Sequence, residues 1–382
     1  MFTMKIKVLL LADANSPHTQ KWARSLADNG VNVIIFSLGK YNSVFYKDYP
    51  GIAVHSLNFG PGFVSRTNRD ISKLKYLMSI PRLKKIIRTC KPDIVHAHYA
   101  TSYGLLGALS GFHPYILSVW GSDIYISPRR SIIHKQLVTF NLSKADRILA
   151  TSYALSKETY KYTNKIIDII PFGIDLNYFK PAISEGLFAQ KDVVIGVVKS
   201  LKEIYGIEYL IKAFAILKSR HKSLPLKLLI VGGGSYEQYL KKMVESLNIA
   251  NDTLFTGTVA YDDLPKYQNM LSISVTVSLS ESFGVTVLEA SACEKPVVVS
   301  NVGGLPEVVE DEVTGFIVEP ANPKQTADAI EKIVLNKELQ DRMGKAGRRR
   351  VRRLYDWDDN IKQMINFYKD TLKGLAMMLS LM

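Results

Sequence analysis

The stretch SLSESFGVTVLEASACEKPVVVSNVGGLPEVVE, residues 278–310, sets two carboxylates, Glu281 and Glu289, eight positions apart on either side of Phe283, Gly284 and Val285. Glu281 precedes a turn, and Glu289 falls about one and a half turns into the helix that follows. Both are therefore expected to project toward one crevice at the carboxyl end of a strand. Two carboxylates are acceptors only, so a group rich in hydroxyls fits between them. A pair of acids in one cleft is also the equipment of a glycoside hydrolase. The Gly303–Gly304 pair a few residues later needs a reason of its own.

For such acids to share a crevice, the surrounding chain must alternate strand and helix. Short apolar runs do alternate with helix-length segments, the pattern of a mainly parallel sheet covered on both faces. In the first half IKVLLLA, VNVIIFSL, DIVHAH, YILSVW, RILATS and IDIIPFG read as strands; in the second, VVIGVV, LKLLIVGGG, DTLFTGTV, ISVTVS, PVVVSNVGG and GFIVEP. Each half is predicted to be a doubly wound, Rossmann-like α/β domain. Strand order restarts after DLNYFKPAISEGLFAQKD, residues 175–192, a polar stretch with the character of an interdomain linker. The expected domains are 1–180 and 186–355. A final segment, 356–382, repeats Ile361, Met364, Ile365 and Tyr368 at helical spacing and is expected to pack back toward the first domain.

At 382 residues the chain is long enough for two such domains. With 47% hydrophobic and 22% charged residues, and no repeat or low-complexity tract, its composition is that of a folded protein. Cys90 and Cys293 are far apart and lack metal-ligand spacing, so neither a disulfide framework nor a zinc site is implied, and a reducing cytoplasm fits. No apolar run reaches the roughly 18–20 residues needed to cross a bilayer. The amino-terminal MFTMKIKVLLLADANSPHTQ has too short an apolar run for a signal peptide. The net charge of +14 is unevenly placed: residues 1–185 hold 24 Lys and Arg against 11 Asp and Glu, and the remainder holds 25 against 24.

The 278–310 stretch with its continuation VTGFIVEP resembles the nucleotide-sugar site of family-4 retaining glycosyltransferases, the glycosyl transferases group 1. The similarity extends through IIPFGIDLNYFKP, LIVGGG, LFTGTV and the terminal WDDNIKQMINFY. The resemblance implies the GT-B fold, two Rossmann-like domains facing across a cleft, and a hexosyltransferase-class activity on a nucleotide-diphosphate sugar. It weighs against the hydrolase. By resemblance, Glu289 takes the nucleotide ribose and Glu281 the hydroxyls of the transferred sugar. A helix opening at Ser282, Phe283, Gly284 and Val285 offers amide donors and the positive end of its dipole, which suits a diphosphate. Where the family carries R-L-x-x-x-K-G, this chain has Ser200 and Tyr205 at the two cationic positions, leaving Lys199 and Lys202 as substitutes. As point charges after a strand, they can reach phosphate oxygens. Gly232, Gly233 and Gly234 correspond to a turn beside the nucleotide base, although glycines that merely let the backbone turn would look the same.

The first half departs further. The family's mid-domain histidine is replaced by Trp120, so His18, His96, His98 and Asp123 are the polar groups at strand ends that can stand in for it. His98 and Asp123 are the preferred catalytic candidates; a buried, hydrogen-bonded histidine without catalytic duty is an equal alternative for His98 and the better reading of His96. The resemblance implies front-face displacement without a protein nucleophile, no cofactor and no metal. In residues 65–91 Lys and Arg are interleaved with Leu, Ile, Tyr and Met. That mixture fits either a solvated helix face or an anionic membrane surface, and the charge split favours the membrane. No nucleic-acid motif accompanies it. The expected partners are a nucleotide-sugar donor and a glycan or lipid-linked glycan acceptor, met in the cytoplasm or at the inner face of the cell membrane. A nucleotide-sugar epimerase and a non-catalytic nucleotide-sugar binder remain open on the same fold.

Overall fold

The computed structural model describes residues 5–60, 76–183 and 186–380. The chain divides into two units, Met1–Ile170 together with Asn360–Met382, and Pro171–Asp359.

In the first unit the strands are β1 (Lys7–Leu11), β2 (Asn32–Gly39), β3 (Ile52–Phe59), β4 (Ile94–His98), β5 (Tyr115–Val119), β6 (Arg147–Ala150) and β7 (Ile167–Ile169), ordered β3-β2-β1-β4-β5-β6-β7. Every pairing is parallel. A parallel strand covered on both faces can be apolar throughout, which is why Val8, Leu9, Leu10 and Leu11 are all buried. The pattern reading missed β3. Its sequence IAVHSLNF pairs only with β2 and buries only Ile52 fully, so His55, Ser56 and Asn58 dilute the apolar signal.

The second unit carries β8 (Val193–Val198), β9 (Leu226–Val231), β10 (Thr253–Gly257), β11 (Ile273–Thr276), β12 (Val297–Ser300) and β13 (Gly315–Val318), ordered β10-β9-β8-β11-β12-β13 and again all parallel. One face buries Ile195, Val197, Leu228, Ile230 and Ile273 with Leu210, Phe214 and Leu217 of the Ile207–Arg220 helix. Those helix residues recur every three to four positions, the stripe that lets one face be buried. Each fully buried side chain of this size is worth about 1.5–3 kcal/mol.

The boundaries follow from what the connecting residues bury. Phe172, Ile174 and Phe179 are buried, and the Ile174 amide donates to the Tyr355 carbonyl at 2.7 Å while Ile174 accepts from Trp357 at 3.1 Å. This segment therefore belongs to the second unit from Pro171 onward, ahead of the expected boundary at 180. The long Trp357–Ser380 helix leaves the second unit at Asn360. In the first unit it buries Ile361, Met364, Phe367 and Tyr368; Phe367, rather than the expected Ile365, completes the stripe. The Tyr368 hydroxyl bonds His96 Nδ1 at 2.8 Å, and the Arg147 guanidinium lies 4.3 Å from the Phe367 ring centroid.

Candidate active site

In the second sheet the chain adds β9 and β10 on one side of β8, then returns to add β11 on the other, so the winding reverses between β8 and β11. Loops that leave two such strands diverge and open a crevice at the carboxyl ends. Ile273 and Ser274 pair with Ile195 and Gly196, so both strands end at the same edge. Lys199 follows β8 directly and Glu281 follows β11 within a few residues. The sheet thus brings together two side chains 82 residues apart, and they form an ion pair, each side chain 11% exposed. The Lys199 ammonium also stands 4.5 Å from the Tyr205 ring centroid. Lys202 is exposed and makes no ion pair among the described residues.

The backbone around this pair explains both glycine clusters. A Cβ on Gly303, whose φ is +51°, would lie 1.7 Å from the Glu281 carbonyl oxygen, and the Gly304 amide donates to that same oxygen at 3.2 Å. The Gly303–Gly304 pair is therefore the seat on which the Glu281 backbone rests. On the other side, a Cβ on Gly232 (φ +135°) would lie 2.0 Å from the Lys199 carbonyl oxygen. The Lys199 amide donates to Val231, and the Leu201 amide donates to Gly233 at 3.0 Å. The steric demand on Gly232 and Gly234 comes from the backbone carbonyls of Lys199 and Leu201, and that on Gly233 from the Thr258 hydroxyl, so the glycine turn is packed against the chain that leads out of Lys199.

Gly284, φ +112°, opens the Val285–Ala292 helix, and a Cβ there would press on Leu305. The amides of a first helical turn have no acceptor within the helix, so this end can donate hydrogen bonds to an anion's oxygens. Ser282 and Val285 are half-exposed beside it. Phe283 instead points into the protein, its ring 5.7 Å from that of Tyr355, and anchors the turn. Glu289 is buried, 4% exposed, on the same helix.

Pattern reading missed three residues here. Thr286, in the first helical turn, has a buried hydroxyl with no hydrogen-bond partner among the described residues. Tyr178 and Tyr261 stack with centroids 5.8 Å apart, and the Tyr178 hydroxyl donates to Asp262 at 3.1 Å. Burial, then Asp262, pushes the Tyr178 phenol up to about 12, with Asp263 and Glu289 adding to the effect. The two tyrosines are more than 80 residues apart in sequence, and no spacing rule links them.

In the first sheet the winding reverses between β1 and β4. His18 follows β1, His98 ends β4, and Trp120 follows β5. Their rings form one group: His98 and Trp120 centroids are 4.6 Å apart, His18 and Trp120 5.8 Å. Trp120 thus lies against the histidine meant to replace the one it displaced. His98 is 4% exposed, and its Nδ1 has no partner among the described residues. Burial, then His18, pushes its pKa down to about 3; burial, then Lys21, lowers His18 to about 4. All three rings are neutral or uncharged near pH 7. His96 is wholly buried between Tyr368 and Ser118, whose Oγ lies 2.7 Å from Nε2, as a structural histidine should be.

Asp123 is not a free acid or base. Its carboxylate accepts from the amides of Ala100 (2.7 Å), Gly121 (2.8 Å) and Trp120 (3.2 Å), so it ties the loop after β4 to the loop after β5. Burial raises its pKa, and those amides oppose the shift. The strand-end position that suggested catalysis is the position from which a carboxylate can clamp two loops. Among the described residues no group of three or more His, Cys, Asp or Glu side chains is placed to hold a metal ion.

Residues 180–350 match the family model for Glycosyl transferases group 1, and residues 7–152 match that for Glycosyl transferase 4-like domains. An uncharacterized glycosyltransferase of Methanocaldococcus jannaschii is 28% identical over 94% of this chain and 95% of its own. Among solved structures, sucrose-phosphate synthase of Thermosynechococcus elongatus superposes with a TM-score of 0.82 at 20% identity, covering 97% of this chain and all of that one (100%). Anabaena HepE in complex with UDP-glucose gives 0.76 at 18% identity, over 96% of this chain and 100% of that one. Two parallel sheets with these relatives, and family models on both halves, make the chain a glycosyltransferase of GT-B architecture.

Proposed function

We propose that the chain is a family-4 retaining enzyme that moves a sugar from a nucleotide-diphosphate sugar to a hydroxyl of a glycan, carried on a lipid or belonging to a surface polysaccharide. The observation that carries this reading is the helix opening at Gly284, with Glu281 before it and Glu289 within it. In this reading the diphosphate lies at the first-turn amides, with Lys199 and Lys202 as its cations. Glu289 accepts from the ribose hydroxyls and Glu281 from those of the sugar. The bond from the anomeric carbon to the phosphate oxygen breaks, the acceptor oxygen bonds that carbon on the same face, and the acceptor proton passes to the departing diphosphate. Stabilising the leaving charge at a preorganised site supplies most of the rate, and the reading requires no metal or cofactor. His98 is neutral at working pH and serves as a hydrogen-bonding group on the acceptor side. The HepE complex supports a uridine nucleotide as the first donor to try.

The acceptor side is proposed to sit on an anionic inner membrane face. Residues 65–75 of the basic segment lie outside the described residues. The Ile80–Cys90 helix leaves Arg82, Lys85 and Arg88 exposed, preceded by exposed Leu77 and Met78. No helix among the described residues is long and apolar enough to cross a membrane. A thermal-shift screen of nucleotide sugars, followed by transfer assays on lipid-diphosphate glycans with the anomeric configuration read by NMR, tests the whole reading. An inverted product refutes retention; a free epimer without acceptor favours the epimerase.

A further inference from the structure

We propose that Glu281 occupies the diphosphate's cation while the donor site is empty, and that donor binding transfers Lys199 from Glu281 to the diphosphate, releasing the carboxylate to the sugar. The inference rests on the donor-site reading above and adds a competition within it. Lys199 has one ammonium group, and that group is engaged with Glu281 and held over the face of Tyr205. Both side chains are 11% exposed, so separating them without a replacement strands a largely buried charge. An arriving diphosphate is such a replacement. The backbones at either end are fixed, Lys199 by Val231 and the glycine turn, Glu281 by Gly304, so the flexible four-carbon stem of Lys199 is what can swing. Lys202, exposed and outside any ion pair among the described residues, supplies a cation that needs no exchange.

This arrangement makes an unusual demand. A nucleoside diphosphate without a sugar competes with Glu281 and offers it nothing in return, so neutralising Glu281 must tighten binding of that fragment. An intact sugar nucleotide gains on the cation and loses on its hydroxyls. A charge-assisted hydrogen bond at its modest end, about 1.4 kcal/mol, is a factor of about ten.

The test is isothermal titration of UDP, GDP and ADP into wild type, Glu281→Gln, Lys199→Met and the double variant, with melting curves to verify folding. The diphosphate that wild type binds should bind Glu281→Gln about tenfold more tightly, and Lys199→Met and the double variant equally. Glu281→Ala, which leaves no amide for Lys199, must show the same gain should Glu281→Gln not fold. Equal or weaker binding by the folded Glu281 variant, or a gain that persists without Lys199, overturns the exchange while leaving the donor site standing. Failure of wild type to bind any of the three overturns the donor-site reading and this inference with it.

Discussion

Replacing Gly303 with alanine tests whether the glycine pair seats Glu281. The residue sits at φ +51°, where a side chain costs about 1–2 kcal/mol. The new Cβ would start 1.7 Å from the Glu281 carbonyl oxygen, and protein Cβ contacts essentially never fall below 3.0 Å, so the Glu281 backbone must retreat by more than an ångström. That retreat breaks the bond from the Gly304 amide, worth about 1 kcal/mol. Together these give a loss of about 2–3 kcal/mol, or about 5–10 °C in Tm for a unit of this size. The functional loss should be larger, because moving a positioned group by about 1 Å costs on the order of 100-fold in rate. The assay is kcat/KM for the donor beside a melting curve. The control is Gly51→Ala, where a Cβ meets nothing within 4 Å. Gly303→Ala with wild-type Tm and turnover would refute the seat.

Glu289→Ala should weaken nucleotide binding by about 10- to 150-fold, the loss of one charge-assisted hydrogen bond, and calorimetry on the free nucleotide would expose an unaffected variant. Tyr368→Phe strands His96 Nδ1 in the core and should cost about 1–3 kcal/mol in urea denaturation, with an unchanged midpoint arguing that the terminal helix is held otherwise. Because burial holds His96 and His98 below the unfolded value near 6.5, the unfolded chain binds the extra protons on acidification. Their contribution is complete above that value and is lost as pH falls toward the folded pKa, about 3 for His98, at roughly 1.4 kcal/mol per pH unit for each histidine. His98→Gln should remove its share of that slope between pH 6 and pH 4.5 (about one proton's worth), and an unchanged slope would place the ring in water. Anionic vesicles should bind the protein, less so in high salt and after Arg82, Lys84, Lys85 and Arg88 become Glu, each basic residue counting about 1 kcal/mol; equal binding to neutral vesicles would reject the charged surface.

The sequence by itself determined two parallel sheets, because strands buried on both faces must be apolar without interruption, as Val8 to Leu11 and Val297 to Val299 are. It also located the Gly284 turn and its flanking acids, since a φ of +112° and a short-range helix start are local demands. Partnerships were decided only by the tertiary structure. Lys199 reaches Glu281 because β8 and β11 are neighbours at the reversal of winding, and nothing within 82 residues of chain encodes that adjacency as a spacing. The same holds for the stack of Tyr178 on Tyr261. Asp123 looked catalytic by its place at a strand end, yet three backbone amides from two loops converge on it. Residue type and position state what a side chain can do; the neighbours that satisfy its charge come from strands brought side by side across long stretches of chain, and they decide what it does.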